Sequence, residues 1–196
     1  MTTIVWDTKV LAADTRHWIA KGFIGPDGDK IKTPNHPGVL FEGAQLVAAA
    51  GAGEMTLLTV WLAGICASSG TLNTLKQSMQ TAPAHLGRQS LLILTVSRCF
   101  KIEVEAGNVS HSDVTGMPAA IGSGAKEALP LLEDYGVFTA IARAARTDSA
   151  RTNNLVTWVN RVSGSTSQCA TRKQMKRAGL EETLLRFGIP PRFWKK

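Results

Sequence analysis

The chain has 196 residues, 44% hydrophobic and 19% charged, which excludes overall disorder and supports a substantial core in one domain with an appendage. The net charge of +7 is confined to one end: residues 1–160 balance 13 basic against 13 acidic side chains, whereas residues 161–196 carry nine basic and two acidic ones. Three cysteines, Cys66, Cys99 and Cys169, lack any Cys-x-x-Cys spacing, which excludes a disulfide framework or zinc knuckle and fits a reducing compartment. Met1-Thr2-Thr3 enters a strand pattern with no basic or apolar leader, so no secretion signal is expected.

Thr2 to Trp6 and Lys9 to Ala13 are β-prone runs around an Asp7-Thr8 turn and predict an N-terminal hairpin. Thr15 to Asn35 is mixed and holds a strong turn signal, Gly25-Pro26-Asp27-Gly28. Val39 to Phe41 and Gln45 to Ala50 are strand candidates. Ala44 to Ala67 carries Glu54 as its sole charge and imitates a membrane span. Gly51 and Gly53 interrupt it, and Glu54 then suits a helix N-terminus, so a buried strand and a buried helix over Glu54 to Ala67 are expected. Trp61 falls on the apolar face of that helix. A second helix is predicted over Thr71 to Thr81, then strands over Ser90 to Val96 and Phe100 to Glu105. Ala119-Ala120-Ile121 is a short apolar run that breaks at Gly122-Ser123-Gly124. Helices over Ala125 to Glu133 and Val137 to Thr147 follow, and Asn154 to Val159 is the last strand. Strands and helices come in blocks, which argues for an α+β chain of sheets covered by helices and against a doubly wound parallel sheet.

Chemistry begins with Thr2. A small residue after Met1 favours removal of the methionine, which would leave a free α-amine beside the Thr2 hydroxyl. Such an amine has a pKa of roughly 7.7–8.0 and can accept the hydroxyl proton near neutrality, the basis of N-terminal threonine nucleophiles. His17, His36, His85 and His111 show no metal-ligand spacing, and no metal or cofactor is expected.

Several runs then fall in order: Thr2-Thr3-Ile4-Val5, Leu11-Ala12-Ala13-Asp14-Thr15-Arg16, Asp29-Lys30-Ile31, Ala48-Ala49-Ala50-Gly51-Ala52-Gly53 and Ala120-Ile121-Gly122-Ser123-Gly124-Ala125. Together, over residues 2 to about 160, they resemble the proteasome β-subunit-like N-terminal-nucleophile (Ntn) hydrolases. The likeness is greatest to the bacterial subunit that works with a separate ATPase ring and to its bacteriophage-encoded relatives. The resemblance implies a four-layer α/β/β/α sandwich over residues 1–160; the charge count sets residues 161–196 apart as a basic extension, which the family does not need. The resemblance also implies Thr2 as nucleophile, Lys30 as the active-site lysine, Asp14 as its partner, a Gly51 amide at the oxyanion and Ser123 beside the amine or a water. Lys32 remains an alternative to Lys30, because Lys-Ile-Lys leaves the register open. The family's later aspartate and hydroxyl resemble Asp148 and Thr152, at a different spacing and with Arg151 between them.

The implied function is a threonine peptidase, or another N-terminal-nucleophile amidohydrolase, acting on peptides or proteins in a homo-oligomeric ring, with an ATPase as a further partner. The location implied is the cytoplasm of a bacterium or phage-infected host, or a virion, without membrane association. The alternative is a catalytically silent proteasome-like protein with a structural, virion-associated or inhibitory role. In the extension, Ser163 to Ser167 reads as a linker, and Thr171 to Phe187 as a basic amphipathic helix or helix pair split near Gly179. Its leucines, with Phe187, Phe193 and Trp194, are expected to dock on this or a neighbouring subunit; contact with nucleic acid through Arg172, Lys173, Lys176 and Arg177 is the other reading.

Overall fold

The N-terminal hairpin forms where the sequence places it. β1 (Thr3–Trp6) and β2 (Val10–Asp14) pair antiparallel with Ile4 opposite Ala13. Asp7 Oδ1 fastens the turn by accepting from the N–H groups of Lys9 (3.0 Å) and Val10 (2.8 Å). The computed structural model describes residues 2–16, 30–147, 156–162, 168, 169, 177 and 180. The Gly25–Gly28 turn, Asp148, Arg151, Thr152 and almost all of the basic segment lie outside the described residues; Arg177 and Leu180 are both exposed.

The remaining strands are β3 (Ile31–Lys32), β4 (Leu40–Phe41), β5 (Ala44–Ala52), β6 (Gln89–Thr95), β7 (Cys99–Glu105), β8 (Asn108–Asp113), β9 (Ala119–Gly122), β10 (Val156–Asn160) and β11 (Gln168–Cys169). They form two antiparallel sheets. One runs β11-β10-β2-β1-β9; the other runs β3-β5-β6-β7-β8, with β4 also paired to β5. The helices are α1 (Met55–Ala67), α2 (Leu72–Gln80), α3 (Ala125–Ala128) and α4 (Leu132–Thr147). The chain is therefore of mixed α+β class, and the strands pair antiparallel throughout the described sheets.

Period-two alternation decides what each strand face buries. Ile4 and Trp6 of β1, Leu11 and Ala13 of β2 and Ile121 of β9 join Ala48, Ala50, Leu92 and Leu94 of the other sheet in one apolar cluster. The intervening residues Val5, Ala12 and Ala120 pack with Val137, Ala140, Ile141 and Ala144 of α4. On the second sheet, Ala49, Leu91, Ile93, Phe100 and Ile102 pack against Leu58, Trp61, Leu62 and Ile65 of α1, and Leu75 and Met79 of α2. A bulge between Leu46 and Ala48 puts both Val47 and Ala48 into the cluster shared by the sheets.

The apolar run over Ala44 to Ala67 resolves into β5 and α1, but its break falls at Gly53 alone. Gly51 continues β5 opposite Leu91, whereas Gly53 has φ 146°, a conformation L side chains rarely adopt. Among the described residues no helix is long and apolar enough to cross a membrane. Glu54 caps α1, its Oε2 accepting from Leu57 N at 2.9 Å, and this bond holds its carboxyl below the ordinary range. Thr71 and Thr74 form a reciprocal capping box at α2. The predicted helix over Ala125 to Glu133 is instead short α3, a tight turn over Leu129–Leu131 and the start of α4. Pro130 has no N–H to continue an α-helical ladder. Gly136, with φ 74° and ψ 178°, interrupts α4. Gln168 and Cys169, inside the segment the sequence sets apart as an extension, pair with Trp158 and Thr157 of β10.

Cys66 and Cys99 are buried thiols, and burial pushes Cys66 up to about 11 and Cys99 higher still. Near pH 8 only roughly one Cys66 in a thousand is a thiolate, so native protein should resist iodoacetamide at both positions. Peptide mass mapping should find both alkylated only after denaturation. Alkylation of native Cys66 at the rate of a free thiol would contradict the packing of α1.

Candidate functional site

Thr2 precedes β1 by one residue and is 5% exposed. It lines a cleft of about 850 Å³ between the ends of the two sheets. One wall is Ala120 to Ser123 of β9 and its following turn. The other comprises Ala52, Gly53 and the first residues of α1, with Gln89 and Ser90 of β6, Lys101 and Glu103 of β7, and Arg88.

Gly122-Ser123-Gly124 fits closely around the start of β1. Gly122 pairs with Thr3 and has φ 92°; a Cβ there would lie 1.8 Å from the Thr2 carbonyl oxygen and 3.3 Å from the Ala52 Cβ. A Cβ on Gly124 would lie 2.1 Å from Thr3 Oγ1 and 2.8 Å from the Ala144 Cβ. Both glycines are thus the condition for Thr2 and Thr3 to lie against β9. The register that sets Thr3 opposite Gly122 brings Ser123 alongside Thr2. Ser123 Oγ is buried and has no hydrogen-bond partner among the described residues.

A buried ion pair holds the backbone amide that follows Thr2. Asp14 Oδ1 accepts from Lys30 Nζ at 3.0 Å and from Thr3 N at 2.7 Å, while Oδ2 accepts from Arg16 N at 3.2 Å. The Asp14 and Lys30 side chains are 0% and 2% exposed. Burial pushes the Asp14 carboxyl above its ordinary value; the Lys30 ammonium and the N–H donors of Thr3 and Arg16 oppose that rise. Lys32, the other lysine of the Lys-Ile-Lys run, is exposed on β3. Lys30, which immediately precedes β3, is the lysine that reaches Asp14.

Gly51 has a different setting from the other candidates. A Cβ on it would meet Leu58 Cδ2 at 2.7 Å, so this side of the residue faces α1; the residues of the turn that line the cleft are Ala52, Gly53 and Glu54. Gln89, which the sequence reading passed over, shapes that turn. Its side chain is buried, its Oε1 accepts from Glu54 N at 2.5 Å, and its Nε2 donates to Leu86 O at 2.8 Å and Gly87 O at 3.3 Å. Gly53 leaves room for it, since a Cβ there would lie 2.0 Å from Gln89 Oε1. Only the fold brings Gln89 to residue 53, so no local signal marks it. His36, His85 and His111 are exposed, and among the described residues no cluster of His, Cys, Asp or Glu could hold a metal ion.

The structure thus sets Thr2 and Ser123 on one cleft and joins Asp14 to Lys30 and to the amide of Thr3, while Gly51 lies within β5 just before the residues that line the cleft; Asp148 lies outside the described residues. The arrangement sets Thr2 on the cleft, one residue from the amide held by a buried, charge-compensated carboxylate. The chain matches no protein-family model and no curated protein.

Two measurements probe this geometry. Gly122→Ala forces a Cβ into the Thr2 carbonyl at a positive φ and should cost about 3 kcal/mol or more, whereas Ser123→Ala removes an unpartnered hydroxyl and should be neutral or slightly stabilising in urea unfolding. Lys30→Met leaves the Asp14 carboxylate buried without its cation and should cost about 3–5 kcal/mol near pH 7. Burial then raises Asp14 unopposed by Lys30, so its folded value lies above its unfolded one. The variant should be most stable below Asp14's ordinary value and lose stability as pH rises through the folded value. A loss independent of pH would show that Lys30 acts through packing instead of charge.

Proposed function

We propose that the protein is a proteasome-like threonine peptidase of the Ntn-hydrolase class, with Thr2 as its nucleophile once Met1 is removed. The observation that carries this reading is Thr2 on the cleft wall beside the buried Asp14–Lys30 pair, with Asp14 bonded to the very next backbone amide. The apolar cluster shared by the two sheets, with α1 and α2 against one and α4 against the other, supports a four-layer α/β/β/α arrangement.

In this reading the Thr2 α-amine takes the hydroxyl proton as Oγ1 attacks the carbonyl carbon of a peptide bond. The Lys30 charge lowers the proton affinity of the hydroxyl, and Asp14 holds Lys30 in place. An N–H of the Gly51–Gly53 turn donates to the tetrahedral oxyanion. Breaking the C–N bond passes the proton to the leaving amine and leaves an ester on Thr2. Water, oriented by Ser123 Oγ and deprotonated by the α-amine, hydrolyses that ester and restores the hydroxyl. Assembly into homo-oligomers and delivery of substrate by an ATPase belong to the same reading.

Intact mass should show loss of Met1. Thr2→Ala should abolish hydrolysis of peptide substrates and the mass adduct left by electrophiles that capture N-terminal threonine. Equal turnover by wild type and Thr2→Ala would assign the activity elsewhere. Retained Met1 with no turnover would favour a catalytically silent structural or inhibitory protein.

A further inference from the structure

We propose that the cleft wall formed by Arg88 and Lys101 is a subsite for an acidic side chain of the substrate. This subsite rests on the peptidase reading above and gives its substrates a chemical class. The inner face of the second sheet is apolar where the first sheet covers it, at Leu92, Leu94 and Cys99. It continues as Ser90, Lys101 and Glu103 along the cleft, with Ser90 paired to Glu103 and Leu92 to Lys101. Sheet alternation requires those side chains to share the face that looks toward β9.

The charged residues lining the cleft are Glu54, Arg88, Lys101 and Glu103. The Glu54 carboxylate is engaged by the N-terminus of α1, whose exposed N–H groups and partial positive charge offset it. Glu103 stands alone between two cations, bonded to Arg88 and, at 3.1 Å, to Lys101. Burial works to raise the Glu103 carboxyl, but the two cations outweigh it and hold the group below its ordinary value, hence ionised. Among the described residues neither cation has a second acidic partner. This wall therefore has two cations for one carboxylate, with Arg88 about half exposed and Lys101 about a quarter. Arg88 and Lys101 retain N–H donors beyond the one each gives Glu103. A carboxylate entering the cleft completes the pairing, while a substrate lysine meets a surplus of like charge.

The test uses full-length Thr2→Ala, which binds without turnover, and short alanine-based fluorescent peptides capped at both ends and carrying one Glu, Gln or Lys. Anisotropy should show the Glu peptide binding about five-fold tighter than the Gln peptide at low salt, with the Lys peptide weakest. The preference should shrink at about 0.5 M salt. Glu103→Gln, which frees both cations, should widen the preference for Glu. Arg88→Gln combined with Lys101→Gln, which leaves Glu103 alone, should reverse it toward Lys. Circular dichroism identifies any variant that fails to fold; each arm has its own prediction, so the folded one suffices.

Equal binding of the three peptides, no binding of any, or a Glu preference that survives the double substitution overturns the subsite. A Gln peptide with a free C-terminus that outbinds both capped Glu and Gln peptides overturns it in favour of a site for the chain-terminal carboxylate. Thr2-dependent turnover by the wild type without a Glu preference overturns the subsite and leaves the peptidase reading standing. Selective binding with no wild-type turnover overturns the peptidase reading and leaves the subsite.

Discussion

The Asp14 carboxylate organises this end of the molecule. Removing an ionised carboxylate from water costs several kcal/mol, and only hydrogen-bonded, charge-paired geometry offsets it. Asp14 meets that demand with donors from three segments: the start of β1, its own chain at Arg16, and Lys30. Lys30 immediately precedes β3, a strand of the other sheet, so the ion pair also ties the two sheets together at the cleft. Thr2 is bonded to the residue whose amide Asp14 holds, and its position follows from the same constraint.

Small side chains let the two sheets meet beside this polar centre. Ala48, Ala50 and Ala52 on one sheet face a cluster that includes Ile4, Trp6 and Leu11 on the other, so bulk on one side is matched by its absence on the other. At the edge, Gly122 lies against both the Thr2 carbonyl and Ala52. There the apolar contact ends and the cleft begins. Gln89 fixes the opposite lip with a buried amide bonded to both Glu54 and the turn before β6. Arg88, Lys101 and Glu103 extend that lip as a polar surface.

The strongly patterned elements were legible in the sequence. The β1–β2 hairpin, the capped α1 and α2, and β6 and β7 carry their own turn residues, caps and alternation, which operate within a few residues. β8 carries no strand signal of its own, because Asn-Val-Ser-His-Ser-Asp has no apolar face; pairing with β7 makes it a strand. β3 is only two residues long and depends on its contact with β5. Pro130 and Gly136 divided the third helical region differently from its apolar pattern, since missing N–H groups and a positive φ act on the backbone regardless of hydrophobicity.

At the site, the sequence by itself determined which residues were candidates and their order: a threonine after Met1, an aspartate closing β2, a Lys-Ile-Lys run and a Gly-Ser-Gly turn. Tertiary structure decided which of them share space. Lys30 instead of Lys32 reaches Asp14, and since residues two apart share a strand face, only the tertiary contact of the segment before β3 separates the two lysines. Gly51 packs toward α1 while its neighbour Ala52 lines the cleft, since successive strand residues face opposite ways, and Gly53 joins Ala52 there because β5 has ended and the chain turns. The glycines of the Gly-Ser-Gly turn acquire their reason only when β1 lies against them. Gln89 and the Arg88–Lys101–Glu103 wall had no local signal, because hydrogen bonds and charge balance among residues far apart in the chain exist only after the sheets have paired.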